Sequence, residues 1–178
     1  AYFKRYEQIA ELIPEGATVT DLCCGPATLF HRHLKAKRVQ YTGLDINPTF
    51  ASELSTKGGT GLQWDMAENK PYPKADYVIM QASLYHFLPD PRAIVDRMLA
   101  AAGKQVLIAE PIRNMTDSSN PLFAWLGRKF TNPGTGEQAH RFNETLLDLF
   151  FEPYRQAGYV QSARLIAGGR EKMYILHP

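Results

Sequence analysis

Apolar positions along the chain switch repeatedly between a helical and a strand period, and the switching predicts the architecture. Tyr2, Tyr6, Ile9 and Ile13 recur at helical spacing until Pro14-Glu15-Gly16 stops the pattern. ATVTDL (17–22) then reads as a short buried strand, TLFHRHLK (28–35) as a helix and VQYTGLDI (39–46) as a second strand. Asn47 with Pro48 behind it marks a helix N-terminus, and Gly58-Gly59-Thr60-Gly61 closes that helix. GLQWD (61–65) offers a brief third strand and ADYVIMQA (75–82) a fourth. Asp90-Pro91 opens a helix with Ile94, Val95, Met98, Leu99 and Ala102 on one face and Gly103 at its C-terminal end. KQVLIAE (104–110) is a fifth strand. Strands alternating with helices predict an α/β domain built on a parallel sheet.

The order then changes. Residues 111–141 form a long connection that carries a short apolar pattern after Asn120-Pro121, with Leu122, Trp125, Leu126 and Phe130. Asn143 caps a further helix whose Leu147, Phe150, Phe151 and Tyr154 share a face, and Pro153 is expected to bend or restart it. VQSARLIA and EKMYILH flank Gly168-Gly169, a hairpin signal.

Composition changes this picture little. With 178 residues, 44% of them hydrophobic and 21% charged, the chain fits one folded domain, 1–178. A net charge of +2 gives no reason to expect nucleic acid or an anionic membrane as partner, and the basic run HRHLKAKR (31–38) reads as a solvated helix end and loop. No apolar run reaches about 18 residues and no signal peptide opens the chain, so neither membrane insertion nor export is expected. The two cysteines are neighbours, too strained to bridge and too few for structural zinc, which points to a reduced, cytoplasmic setting and no metal. The chain starts inside a helical pattern, which leaves open whether a segment precedes it.

The candidate chemistry begins at DLCCGPA (21–27). Adjacent cysteines beside Gly-Pro can be a thiol site, two small buried residues, or part of a tight ligand-holding turn. A small-residue turn after the first strand of a parallel sheet lies where ligands bind. The dinucleotide fingerprint would need Gly-x-Gly-x-x-Gly, whereas here Cys23, Gly25 and Ala27 alternate behind Asp21. Asp45 ends the second strand, where a carboxylate can accept from both ribose hydroxyls of a nucleoside, and Asp65 ends the third. No Lys or Arg sits in the turn, so a nucleoside with little phosphate suits it better than a dinucleotide.

In these features the sequence resembles the class I S-adenosylmethionine-dependent methyltransferases, above all the group acting on small molecules. The family's acidic-x-Gly-x-Gly-x-Gly motif aligns with Asp21, Cys23, Gly25 and Ala27, with Cys and Ala standing where the family has glycine. GLDIN (43–47), WDMAENKPYPKADYVIM (64–80) and SLYHFLPDP (83–91) follow in the family's order, and the likeness resumes at FNETLLDLFFEPYRQAGY and the last hairpin. The resemblance implies a Rossmann-like doubly wound domain with a seven-stranded, mostly parallel sheet of order 3-2-1-4-5-7-6, strand 7 antiparallel and helices on both faces. It implies S-adenosyl-L-methionine as cofactor and methyl transfer to an O, N or C nucleophile of a small-molecule acceptor.

The resemblance also distributes roles. Asp21 faces the methionine amino group, against capping the next helix; Cys23, Gly25 and Ala27 form the turn, with Gly25 expected to need the unusual backbone angles. Asp45 accepts from the ribose; Ile46 lies against adenine or in the core; Asp65 accepts from the adenine amine beside the Met66 N–H; Gln81 lines the methionine end. His86 and Tyr85 stand on the acceptor side, His86 as a general base or as a positioning group, with Glu110, His140 and Arg141 as weaker candidates. Residues 112–141 are expected to cover the acceptor site, with Phe123, Trp125, Leu126 and Phe130 excluding water, or to be an extra helix beside the sheet. Rival functions are an RNA methyltransferase, disfavoured by the balanced charge and the absence of Pro-Pro-aromatic after the fourth strand, and a cofactor-binding scaffold without catalysis. A nicotinamide dehydrogenase is disfavoured by the glycine spacing.

Overall fold

The computed structural model describes residues 3–112 and 141–178. Its elements follow the predicted order. Helix α1 (Lys4–Ala10) leads to β1 (Thr18–Leu22), a π-helical turn (Phe30–Leu34), β2 (Gln40–Asp45), α2 (Pro48–Thr56) and β3 (Thr60–Gln63). Then come β4 (Ala75–Gln81), a 3-10 turn (Leu84–Phe87), α3 (Arg92–Ala101), β5 (Ala102–Pro111), α4 (Glu144–Gln156), β6 (Val160–Ile166) and β7 (Glu171–Leu176).

All seven strands form one sheet of order β3-β2-β1-β4-β5-β7-β6. β1 to β5 run parallel, while β7 runs antiparallel to both β5 and β6; Gly168 and Gly169, at positive φ, join β6 to β7. Alternation along the strands sends Leu22, Met80 and Ile108 to one face, against Ile94, Val95 and Met98 of α3 and Leu147 and Phe151 of α4. Val19, Ile79 and Leu107 take the other face, against Ile9 and Ile13 near α1, Leu29 and Phe30 at the π-helical turn, and Leu54 of α2. Among the described residues no helix is long and apolar enough to cross a membrane.

Three local expectations need correction. The segment expected as an ordinary helix over 28–35 closes i→i+5, with Lys35 N–H donating to Phe30 C=O at 2.9 Å. α3 ends at Ala101, so Ala102 and Gly103 open β5 instead of closing the helix; the Ala102 N–H still caps it by donating to Met98 C=O. Pro153 does not restart α4, which runs unbroken to Gln156. Leu149 and Pro153 both lie on the solvent side, where the carbonyl left without a donor meets water.

Burial also joins distant parts of the chain. Arg5 Nη1 of α1 donates to both carboxylate oxygens of Glu171 at the start of β7, each at 3.0 Å, with both side chains nearly fully enclosed.

Candidate functional site

The parallel strands β3, β2, β1, β4 and β5 end along one edge, and the strand order reverses between β1 and β4. A crevice outside the carboxyl ends follows from that reversal. Into it the fold brings the 21–27 turn, Asp45 and Ile46, Gln81, Glu110, and the 65–66 step after β3.

Cys23, Gly25 and Ala27 have φ of +55°, +53° and +52°. The unusual backbone expected at Gly25 is therefore shared by all three alternating positions, at about 1–2 kcal/mol for each residue bearing a Cβ. Small side chains are what the turn tolerates there. Two bonds tie it to β2: Cys24 N–H donates to Leu44 C=O at 3.1 Å and Gly25 N–H to Asp45 Oδ2 at 2.8 Å. A Cβ built on Gly25 would meet nothing within 4 Å, so the space above the turn is open.

Asp45 has a second duty. Its Oδ1 accepts from Asn47 N–H at 2.9 Å, at the start of α2. Beyond the ribose role expected of it, Asp45 holds the turn and the next helix together. A carboxylate has about four acceptor positions, and the described residues fill two of them.

Asp21 is only 1% exposed. Its Oδ2 accepts from Tyr41 Oη–H at 2.6 Å and Gln81 Nε2 at 3.3 Å, while Oδ1 has no partner among the described residues. Gln81 Oε1 is likewise buried without a donor. Burial pushes the Asp21 carboxyl up to about 7, against the opposing pull of the Tyr41 and Gln81 hydrogen bonds and of Arg5. The alternative role of capping the following helix does not occur; Asp21 faces its strand neighbours.

After β4, Ala82 takes φ of +50° and the chain enters the 3-10 turn. Glu110 Oε1 accepts from the Ser83 and Leu84 N–H groups at 2.8 Å each, and its Oε2 is buried without a partner among the described residues. The turn presents Tyr85 and His86 with ring centroids 4.1 Å apart, and the Arg141 guanidinium lies 5.0 Å from the Tyr85 ring. His86 titrates below the ordinary histidine range through desolvation and the Arg141 charge.

Ile46 is 66% exposed beside Asp45, which removes the core role weighed for it. Asp65 is exposed, with Oδ1 accepting from Ala67 N–H at 2.9 Å, and Met66 is buried. Two cavities of about 310 and 400 Å³, lined in part by Tyr72, Lys74, Arg97 and Asp76, lie toward the opposite ends of β1 and β4, away from this edge. The expected cover, with Phe123, Trp125, Leu126, Phe130 and His140, falls on 113–140 and lies outside the described residues.

The profile of the methionine biosynthesis protein MetW family matches residues 4–115, most of the chain and every residue of this edge. The chain belongs to the MetW family. No curated protein matches it in sequence. Among solved structures, the methyltransferase domain of bacterial CtHen1-CN superposes with a TM-score of 0.73 at 14% identity, covering 99% of both chains. Magnesium protoporphyrin IX methyltransferase ChlM of Synechocystis PCC 6803, with bound SAH, gives 0.66 at 13%, covering 99% of this chain and 83% of that one. Mitomycin 7-O-methyltransferase MmcR gives 0.67 at 19%, covering 97% of this chain and 52% of that one. The fold of this MetW-family chain is thus that of the class I S-adenosylmethionine-dependent methyltransferases, in the expected strand order.

One group at this edge was not singled out from the sequence. Tyr41 shares a strand face with Gly43 and Asp45, so period-two alternation would have aimed it at Asp21. The cysteines resolve cleanly. A Cβ on Gly43 would fall 2.6 Å from Cys24 Sγ, so that glycine makes room for the thiol against β2. Burial, then the Asp45 and Asp21 charges, push the Cys23 thiol up to about 12, and Cys24 is raised as well. We expect a disulfide reagent at pH 7.5 to label both cysteines rapidly in urea and neither in the native chain. Equal labelling rates would overturn the assignment of both half-buried thiols as un-ionised in the fold.

Proposed function

We propose that this MetW-family chain binds S-adenosylmethionine across the carboxyl edge of β1 to β4. In this reading it transfers the methyl group to an O, N or C nucleophile of a small-molecule acceptor. The observation that carries the reading is the pair of buried acceptors, Asp21 Oδ1 and Gln81 Oε1, that have no partner among the described residues, beside a turn with open space over Gly25. Buried polar atoms without partners are costly, about 1–3 kcal/mol each, and a primary ammonium brings three donors to them. The free positions of Asp45 accept from the ribose, exposed Ile46 offers an apolar face to adenine, and Asp65 with Met66 N–H reads the base edge. Cys23, Gly25 and Ala27 let main chain approach the methionine portion.

When bound, the cofactor supplies a methyl group already activated on a sulfonium sulfur. The protein's task is orientation, worth on the order of 7–11 kcal/mol in favourable cases. Tyr85 and His86 form the acceptor-side wall that Glu110 fixes through the Ser83 and Leu84 amides. Desolvation and the Arg141 charge favour the neutral form of His86, which can take a proton from an acceptor hydroxyl. The names of ChlM and MmcR, both small-molecule methyltransferases, favour a small acceptor over RNA. Residues 1–178 then act as one methyltransferase domain.

Calorimetric titration is expected to show micromolar binding of S-adenosylmethionine and S-adenosylhomocysteine, and none of NAD. Asp21 must be ionised to face an ammonium, and its carboxyl sits near 7, so affinity should rise as pH goes from 6 to 8. Asp21→Asn should weaken S-adenosylhomocysteine binding about 10–100-fold and flatten that pH dependence. Folded protein that binds neither sulfonium nor thioether ligand rejects the cofactor assignment. A screen for S-adenosylhomocysteine release, divided between small metabolites and RNA, identifies the acceptor; release with RNA alone rejects the small-molecule reading.

A further inference from the structure

Arg97 of α3 reaches across to the segment that follows β3. Its Nη2 donates to Met66 C=O at 3.0 Å, and its Nη1 to Glu68 C=O and, at 3.4 Å, to Lys70 C=O. Nε donates back to Ala93 C=O at 3.2 Å, within its own helix. The guanidinium also lies 4.9 Å from the ring of buried Tyr72. A guanidinium has donors in a fixed planar fork and no acceptor, so three carbonyls at alternate residues are bound by one rigid group.

The segment so gripped has left the sheet. Its last tie to β2 is Trp64 N–H donating to Asp45 C=O at 2.8 Å. Beyond that, Asp65 C=O accepts from Glu68 N–H at 3.2 Å, closing a tight turn. In a trans peptide the N–H points opposite to the C=O. With the Asp65 carbonyl turned into the turn, the Met66 N–H points out of it. The Met66 side chain is anchored in the core, so the turn is pinned by a buried side chain and by Arg97 together.

We propose that Arg97 is a positioning residue for base recognition. By fixing the turn at three carbonyls, it holds the Asp65 carboxylate and the Met66 N–H as a rigid acceptor–donor pair. Adenine offers the complement, an exocyclic amine that donates and a ring nitrogen that accepts. Hypoxanthine offers the reverse, an oxygen that accepts and a ring N–H that donates. This inference rests on the reading of Asp65 and Met66 as the adenine contact.

The test compares S-adenosylhomocysteine with S-inosylhomocysteine by calorimetry on the wild-type chain, Arg97→Met and Arg97→Lys. The wild type should prefer the adenine ligand by about tenfold or more, the scale of one or two hydrogen bonds. Both variants should bring that ratio toward about twofold, since an ammonium cannot span carbonyls that the fork reaches at once. A variant that weakens both ligands equally and keeps the ratio overturns the proposal, leaving Arg97 a structural residue. A wild type that binds both ligands alike overturns the adenine contact at Asp65 and Met66, and the proposal with it. A wild type that binds neither rejects the cofactor assignment itself. Should Arg97→Met fail to fold, Arg97→Lys, which retains the charge and the stem, decides the same ratio.

Discussion

Asp45→Ala is expected to lose S-adenosylhomocysteine affinity by at least about 100-fold and to destabilise the fold by about 2–4 kcal/mol. Both effects come from one carboxylate, only 9% exposed, that accepts from Gly25 N–H through one oxygen and from Asn47 N–H through the other. Hydrogen bonds to a charged acceptor are worth about 1.5–3 kcal/mol each, so the truncation removes two strong bonds and strands two donors. The first donor belongs to the 21–27 turn, where Cys23 and Ala27 hold φ of +55° and +52°. Non-glycine residues leave that backbone region when nothing confines them, because each costs about 1–2 kcal/mol there. Releasing the Gly25 tether therefore lets the turn relax and misplaces the surface that meets the methionine portion, besides deleting the ribose acceptor. Asp45→Asn separates the contributions. Its amide keeps one accepting oxygen, so one tether survives, and it should fall between wild type and alanine in both measurements. Urea unfolding reads the tether and calorimetry reads the ligand. Unchanged stability in Asp45→Ala would deny the tether; unchanged affinity would deny the ribose contact.

Asp45 also shows what was legible in the sequence. The carboxylate's place, at the end of an apolar run twenty residues past Gly25, follows from periodicity and turn residues alone. Its double bond to two backbone amides does not, because it depends on how closely β1 and β2 end in register, with Leu22 opposite Leu44. The same division runs through the rest of the chain. Every strand was visible as an alternating or apolar run between turn residues, and the strand order came with the family resemblance. What stayed hidden were features set by packing in three dimensions. The π-helical closure at Lys35 uses residues that suit an ordinary helix equally well. The α3–β5 junction at Ala102 has no loop to announce it. The Arg97 grip on Met66, Glu68 and Lys70 joins positions about thirty residues apart, with no spacing rule behind it. Cys23 and Ala27 were readable as small residues but not as left-handed ones, since composition records size and not φ.

Glu110 carries the second large effect, and its sign is unusual. The side chain is fully buried; Oε1 accepts from Ser83 and Leu84 N–H, and Oε2 has no partner among the described residues. Burial pushes the carboxyl from 4.5 up to about 7, although the Leu84 and Ser83 amides pull the other way. Between those two values the folded chain keeps a proton that the unfolded chain has released. Stability must then fall as pH rises from about 4.5 to about 7, by up to about 3 kcal/mol from this group. Asp21, raised from 3.8 to about 7 by burial, acts in the same direction. Glu110→Gln retains an oxygen for both amides and cannot ionise. We therefore expect it to match or fall slightly below wild type at pH 5, yet to exceed it by about 1–3 kcal/mol at pH 8, in urea unfolding at both values. Glu110→Ala leaves both buried amides without an acceptor and should be destabilised at either pH by about 2 kcal/mol or more. It also frees the turn that presents Tyr85 and His86, so methyl transfer should fall further than cofactor affinity does. A glutamine variant less stable than wild type at pH 8 would mean that the carboxylate is ionised and paired in the fold. In that case Glu110 would hold the turn as an anion.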